Sequence, residues 1–245
     1  MASELSPATE GGRREGRRTA AAARKREREQ AIIAATRALF DQRGVRDAQI
    51  EDIATAVGVN RAIIYRHFTG KEELFGLTLV GYLDELAAYL RKADDPGADP
   101  AARLRLLTAA FHDYGMTYPA FVDCAQTLMR NTGSELFEEI SEGAVFRLGR
   151  AIAGCLGHLV EVLEAGNASG HFHIDDPHLL ANTLYAQGLG TMQLARVGLL
   201  VKEAAPGMPT VARLSADQVK DYLVAASVAM AVGIETPPTI REERR

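Results

Sequence analysis

The residues with most chemistry to offer crowd into one short run, GVNRAIIYRHF (58–68), which carries Asn60, Arg61, Tyr65, Arg66 and His67. Guanidinium, imidazole, phenol and amide groups are hydrogen-bonding groups, and such a set suits an anionic, acceptor-rich partner. His171, His173 and His178 form a second, looser group. A metal site needs a further Cys, Asp or Glu at fixed geometry, and histidines flanking a loop are read as solvent-facing, so no metal is expected. Cys124 and Cys155 are too few and too isolated for a disulfide framework or a zinc site, and are read as buried structural thiols. No Gly-rich phosphate loop follows a strand, and no Ser-His-Asp or Cys-His arrangement emerges from spacing. Neither a catalytic residue nor a cofactor is expected.

The elements that must position these groups read as helices. Ala31, Ile32, Ala35, Ala38 and Leu39 recur at helical spacing up to Arg43, and Gly44 is a C-terminal stop. A short helix fits 49–57, with Ile50, Ile53, Ala54 and Val57 on one face. Gly58 suits a left-handed turn residue, and Asn60 can cap a third helix running to Phe68. Helix, Gly turn and helix are the parts of a helix-turn-helix. Ile53, Ala54, Val57, Ile64 and Phe68 would seal them together, which leaves Arg61, Ala62, Ile63, Tyr65, Arg66 and His67 facing outward. A helix presenting such groups fits a DNA major groove.

Thr69 with Glu72 is expected to form a capping box opening a long helix to about Arg91. Asp99-Pro100 and Pro119 start two more, Thr132 with Glu135 opens a run to about Ala165, and Asp176-Pro177 starts one reaching about Glu203. Ser215 with Gln218 opens the last. No convincing period-two strand is found. The fold class is therefore all-α, with about nine helices and no internal repeat. The expected organisation is a disordered basic arm (1–23), a helix-turn-helix domain (24–70), a helical body (71–235) and a flexible tail (236–245).

Charge is unevenly spread. Residues 1–71 hold 14 Lys/Arg against 9 Asp/Glu, whereas the remainder holds 14 against 23. A basic end on an acidic body points to a polyanion contact near the N-terminus. No apolar run approaches the roughly 20 residues needed to span a bilayer, and MASELSPATEGGRREGRR lacks an apolar signal core. A soluble, cytoplasmic protein with no membrane partner is expected.

The stretch GVRDAQIEDIATAVGVNRAIIYRHFTGKEELF (44–75) resembles the DNA-binding segment of TetR-family transcriptional regulators. The resemblance rests on Gly44, Ile53, Ala54, Gly58, Val59, Tyr65, His67, Phe68, Lys71, Glu72 or Glu73, and Leu74. Ala48 and Gln49 stand where the family usually caps its second helix with Thr or Ser, so Asp47 is expected to substitute. Asn60 and Gly70 also depart from the usual residues. The resemblance implies that Tyr65 and His67 hold phosphates and that Lys71 meets another at the start of the fourth helix. Asn60, Arg61, Ala62 and Ile63 then stand at the reading end, with Arg61 suited to guanine acceptors and Ile63 to a thymine methyl. The arm's arginines and Lys25 would reach the minor groove or add non-specific attraction.

For the body, the resemblance implies a small-molecule cavity in the middle helices and a homodimer built from the last two. His112, Tyr114, Met116, Tyr118, Phe121, Met129, Phe146 and Tyr185 are the expected ligand residues, with Phe137 and Gln193 as further candidates. The dimer surface is expected along Ala181, Leu184, Tyr185, Gly188, Leu189, Met192, Ala195 and Leu199, opposite Val219, Leu223, Ala226, Ala229, Met230 and Gly233. The implied function is a ligand-responsive regulator, most often a repressor, binding a palindromic site on double-stranded DNA and released by a small, mostly apolar effector. The competing reading is an all-α ligand carrier or protein-interaction module without a DNA target.

Overall fold

The computed structural model describes residues 7–130, 135 and 138–233, with side chains from residue 16 onward. Capping explains where most helices begin. Helices α1 (Pro7–Arg43), α2 (Ile50–Val57) and α3 (Arg61–His67) form the N-terminal unit. Gly58 takes φ +68° and ends α2, and the Asn60 side chain accepts from the Ile63 N–H at 3.1 Å to start α3. Ile53, Ile64 and Phe68 are buried, so the turn is closed by the apolar faces that the spacing indicated. At the start of α2, Gln49 rather than Asp47 is the N-cap, and its backbone N–H donates to Asp52 at 3.3 Å.

Helix α4 (Lys71–Ala93) joins the two halves. Its Phe75 meets Phe40 of α1 edge-on at 4.8 Å, and Glu85 receives both terminal nitrogens of Arg37 at 2.6 Å. Gly70 is the N-cap, and Thr69 is served by Glu73, not Glu72. Helices α5 (Pro100–Thr117) and α6 (Pro119–Leu128) follow, the first capped by Asp99 through the Ala102 N–H at 2.9 Å. Helix α7 (Glu142–Ala168) is capped by Ser141, so it starts later than the Thr132 signal suggested; Thr132 itself lies outside the described residues. Helices α8 (Pro177–Val197) and α9 (Ala216–Gly233) complete the body. Asp176 caps α8, and Ser215 and Gln218 exchange bonds at 3.0 and 3.2 Å before α9. Helix α4 packs chiefly on α7 and α5, α5 on α9, and α8 on α7 and α9, around a core centred on Tyr82, Leu83, Leu86 and Phe121.

Three further expectations change. Residues 7–23, read as disordered, are the first turns of α1; Ala, Arg and Glu favour helix even where little is buried. The helix expected to reach Glu203 stops at Gly198 (φ +67°), and an antiparallel hairpin of β1 (Leu199–Ala205) and β2 (Met208–Arg213) follows, turning at Pro206-Gly207. Almost every residue of that hairpin is exposed, so no inward-outward alternation marked it in the sequence. Third, Ala181, Leu184, Gly188, Leu189 and Met192 are buried inside the subunit. The expected tail (236–245) and Phe137 lie outside the described residues.

Candidate nucleic-acid interface and body cavity

Helix α3 is short, and its inner face is used up by Ile64 and the following Phe68. Asn60, Arg61, Ala62, Tyr65 and Arg66 are exposed, with Tyr65 at 45 %. Ile63, His67 and Lys71 are half-buried. Arg61 donates to Glu51 of α2 at 2.7 Å and to the Tyr65 hydroxyl at 3.2 Å, and its guanidinium lies 5.3 Å from the Tyr65 ring centroid. Exposed ion pairs of this kind are worth at most about 1 kcal/mol, so an incoming base or phosphate can replace them. The Lys71 ammonium sits 5.0 Å from the Phe75 ring centroid at the first turn of α4, where the helix dipole also favours an anion.

Opposite α3 stands α1. Arg24, Lys25 and Arg28 face Val59, Ile63, Arg66 and His67 across an open cleft. The basic arm is thus carried on a rigid helix beside the reading helix. Arg66, which the sequence placed on the outward face without assigning it a contact, also lies in this cleft. Burial, then Lys25 and Arg28, push the His67 imidazole below its usual range, against the pull of Glu29. Its Nδ1 is buried without a hydrogen-bond partner among the described residues. A neutral imidazole keeps one N–H to donate.

A small, partly enclosed cavity of about 40 Å³ lies in the body. Leu90 of α4, Phe111 of α5, Leu156 of α7, Leu184 and Tyr185 of α8 and Leu223 of α9 line it, so five helices meet there. Of the ligand residues expected from sequence, Tyr185 alone lines it. Phe121 is fully buried core, and Tyr114 donates to the Tyr82 carbonyl at 2.9 Å. Tyr114 and Tyr118 border a separate groove with Tyr89 and Lys92. His112 is buried next to Asp113, which pairs with Lys220 of α9 at 3.2 Å. Met116 packs against the core, whereas Met129 and Phe146 are exposed, at 55 % and 71 %. Phe111, Leu107 and Thr108 were missed, because a cavity lining of Leu and Phe has the same periodicity as a packed core. No cluster of three or more metal-ligating side chains occurs among the described residues, and none of the described helices is long and apolar enough to cross a membrane.

A family profile for bacterial regulatory proteins of the tetR family matches residues 32–77, which span the end of α1 through the first turns of α4. The HTH-type transcriptional activator FasR of Mycolicibacterium smegmatis is 36% identical over 104 residues, 42% of this chain and 46% of that protein. The HTH-type transcriptional repressor KstR2 of Rhodococcus jostii is 32% identical over 145 residues, 58% of this chain and 66% of that protein. The chain therefore spans about half to just under two thirds of these curated relatives. Among solved structures, RolR in complex with resorcinol superposes with a TM-score of 0.63 at 18% identity, covering 87% of this chain and 91% of RolR. KstR2 of Mycobacterium tuberculosis gives 0.51 at 24% identity, covering 84% and 96%. These structural likenesses establish the fold.

Proposed function

The chain belongs to the TetR family of bacterial regulatory proteins, and from that premise we propose that it is a homodimeric, ligand-responsive transcriptional regulator acting as a repressor. The observation that carries the reading is the division of α3. Ile64 and Phe68 are buried while Arg61, Tyr65 and Arg66 face outward beside the Arg24–Lys25–Arg28 cleft. In this reading Arg61, Ala62 and Ile63 read bases, while Tyr65, His67 and Lys71 hold phosphates with help from Arg66 and the α1 cations.

One short reading helix discriminates weakly, and a two-fold dimer doubles it on a palindrome with half-sites about 34 Å apart. Leu179, Thr183, Ala186, Gly190, Leu194 and Val197 form an exposed stripe on α8 at three- and four-residue spacing. Tyr222, Ala225, Ala229 and Val232 do so on α9. Two such stripes support a four-helix interface on the outer faces of these helices.

The signal passes through α4. Lys71 stands at its start and Leu90 lines the cavity, roughly 28 Å away at 1.5 Å per residue. A ligand that binds one setting of α4 better than another shifts the population of dimers whose reading helices match successive grooves. The repressor sign follows KstR2, and the opposite sign is represented by the activator FasR. The deciding experiment is a gel shift with the DNA flanking the chain's own gene, across a salt series. A regulator gives a preferred palindrome and a steep salt slope. Binding indifferent to sequence and salt would remove the reading.

A further inference from the structure

Resting on the effector reading of the body cavity, we infer that its ligand is an uncharged, mostly apolar molecule whose one hydrogen-bonding oxygen is held by Thr108 and Tyr185. Two features of the lining carry this. The first is that no side chain lining the cavity bears a formal charge. A carboxylate, phosphate or ammonium drawn in among leucines would lose its hydration and find no counter-charge, so charged ligands are excluded.

The second is a pair of hydroxyls without partners. The threonines at Thr78, Thr117 and Thr127 donate to the carbonyl four residues back, at 2.7–2.8 Å. Thr108, on α5 and only 9 % exposed, makes no such bond and has no hydrogen-bond partner among the described residues. The Tyr185 hydroxyl on α8 likewise has none, although its ring stacks against Phe111 at 5.7 Å between centroids. Thr108 and the half-buried Tyr185 both border the same apolar space with their hydroxyls open to it, so a ligand oxygen there can replace the water that would otherwise satisfy them. Both are hydroxyls that donate and accept, which matches an alcohol or carbonyl oxygen.

The other polar lining groups are already committed. The Ser227 hydroxyl donates to the Leu223 carbonyl at 2.8 Å. Burial pushes the Cys155 thiol up to about 12 and raises the Tyr185 phenol as well. Both stay protonated near neutrality, so Cys155 is no nucleophile and the ligand is held without a covalent bond.

The test uses the full chain without DNA and two matched probe sets. One is decane, decan-1-ol and decanoate at pH 8; the other is decalin, decalol and decalin carboxylate. Binding is read by isothermal calorimetry and thermal shift. Alcohols are expected to bind best, hydrocarbons more weakly and carboxylates not at all. Thr108→Val, which keeps the shape, and Tyr185→Phe should each weaken alcohol binding about fivefold, the order of one hydrogen bond, and leave the hydrocarbon unchanged. Carboxylate binding as tight as the alcohol's, alcohol binding by both variants equal to wild type, or no binding by either set would each overturn the inference. The gel shift is separate. A chain that takes decanol but ignores DNA sinks the regulator reading alone, and one that binds its palindrome but takes only anions sinks this inference alone.

Discussion

Glu73, in the first turn of α4, accepts a hydrogen bond from the hydroxyl of Ser141, the residue that caps α7. The same carboxylate accepts from the backbone N–H and hydroxyl of Thr69, and the Thr69 hydroxyl also reaches the Glu139 carbonyl at 3.0 Å. One buried acid thus ties the segment leaving α3 to the helix most extensively packed on α4. Burial opposes its ionisation, but the bonds from Ser141 and Thr69 together outweigh that and hold the carboxyl below its usual range.

Replacing this acid should therefore cost stability and coupling together. Glu73→Gln is expected to destabilise the fold by about 1–3 kcal/mol in urea melts. Because the folded carboxyl is held below the ordinary 4.5, its contribution is present above that pH and is lost as pH falls through the folded value. The variant's stability should be correspondingly flatter in acid, and a wild-type acid profile for Glu73→Gln would contradict the role.

Arg61 is engaged by Glu51, and on the proposed DNA contact the two residues would pull against each other. Arg61→Ala should relax base preference at one operator position by about 1–3 kcal/mol. Glu51→Gln should instead tighten binding to all sequences, by removing a negative charge next to the phosphates. Tyr65→Phe should weaken all sequences alike. Competition gel shifts with single-base operator variants separate the three patterns.

If DNA is bound as proposed, His67 should give that binding a pH dependence of definite sign. Its imidazole lies below the usual 6.5 in the free chain, and a phosphate favours the protonated form. The pKa is then higher in the complex, protons are taken up on binding, and affinity rises as pH falls from 8 towards 6. His67→Gln should flatten that slope, measured by fluorescence anisotropy at constant ionic strength.

Gly188 of α8 has Phe111 pressed against it. An added methyl there would lie 2.4 Å from the Phe111 ring, far inside contact distance. Gly188→Ala must move Phe111, a cavity wall, at about 1–3 kcal/mol of overpacking. The expected result is a lower melting temperature together with weakened alcohol binding and unchanged operator affinity.

The outer stripe of α8 should decide assembly. Leu194→Asp places a charge on the exposed face without touching the buried one, so the subunit should fold but sediment as a monomer and lose preference for a full palindrome over a half-site. A dimer of wild-type strength would move the interface elsewhere.

What the chain declares about itself is local. The glycine turn at Gly58, the Asn60 cap, the Asp99 and Asp176 caps and the split of α3 into buried Ile64 and exposed Arg61 all depend on residues within one or two turns of each other. Spacing alone can specify interactions of that range, so the helices and the two faces of α3 were legible. Tertiary packing decided the rest, because it joins residues that sequence holds far apart. The cavity draws Leu90, Phe111, Leu156, Tyr185 and Leu223 from five helices, each indistinguishable from core until the helices are assembled. Helix α8 shows apolar and small residues on both sides, so only its neighbours determine which stripe is buried. Thr108 follows the same logic: in sequence it is one threonine among many, and only the assembled body leaves its hydroxyl without a partner beside an apolar space.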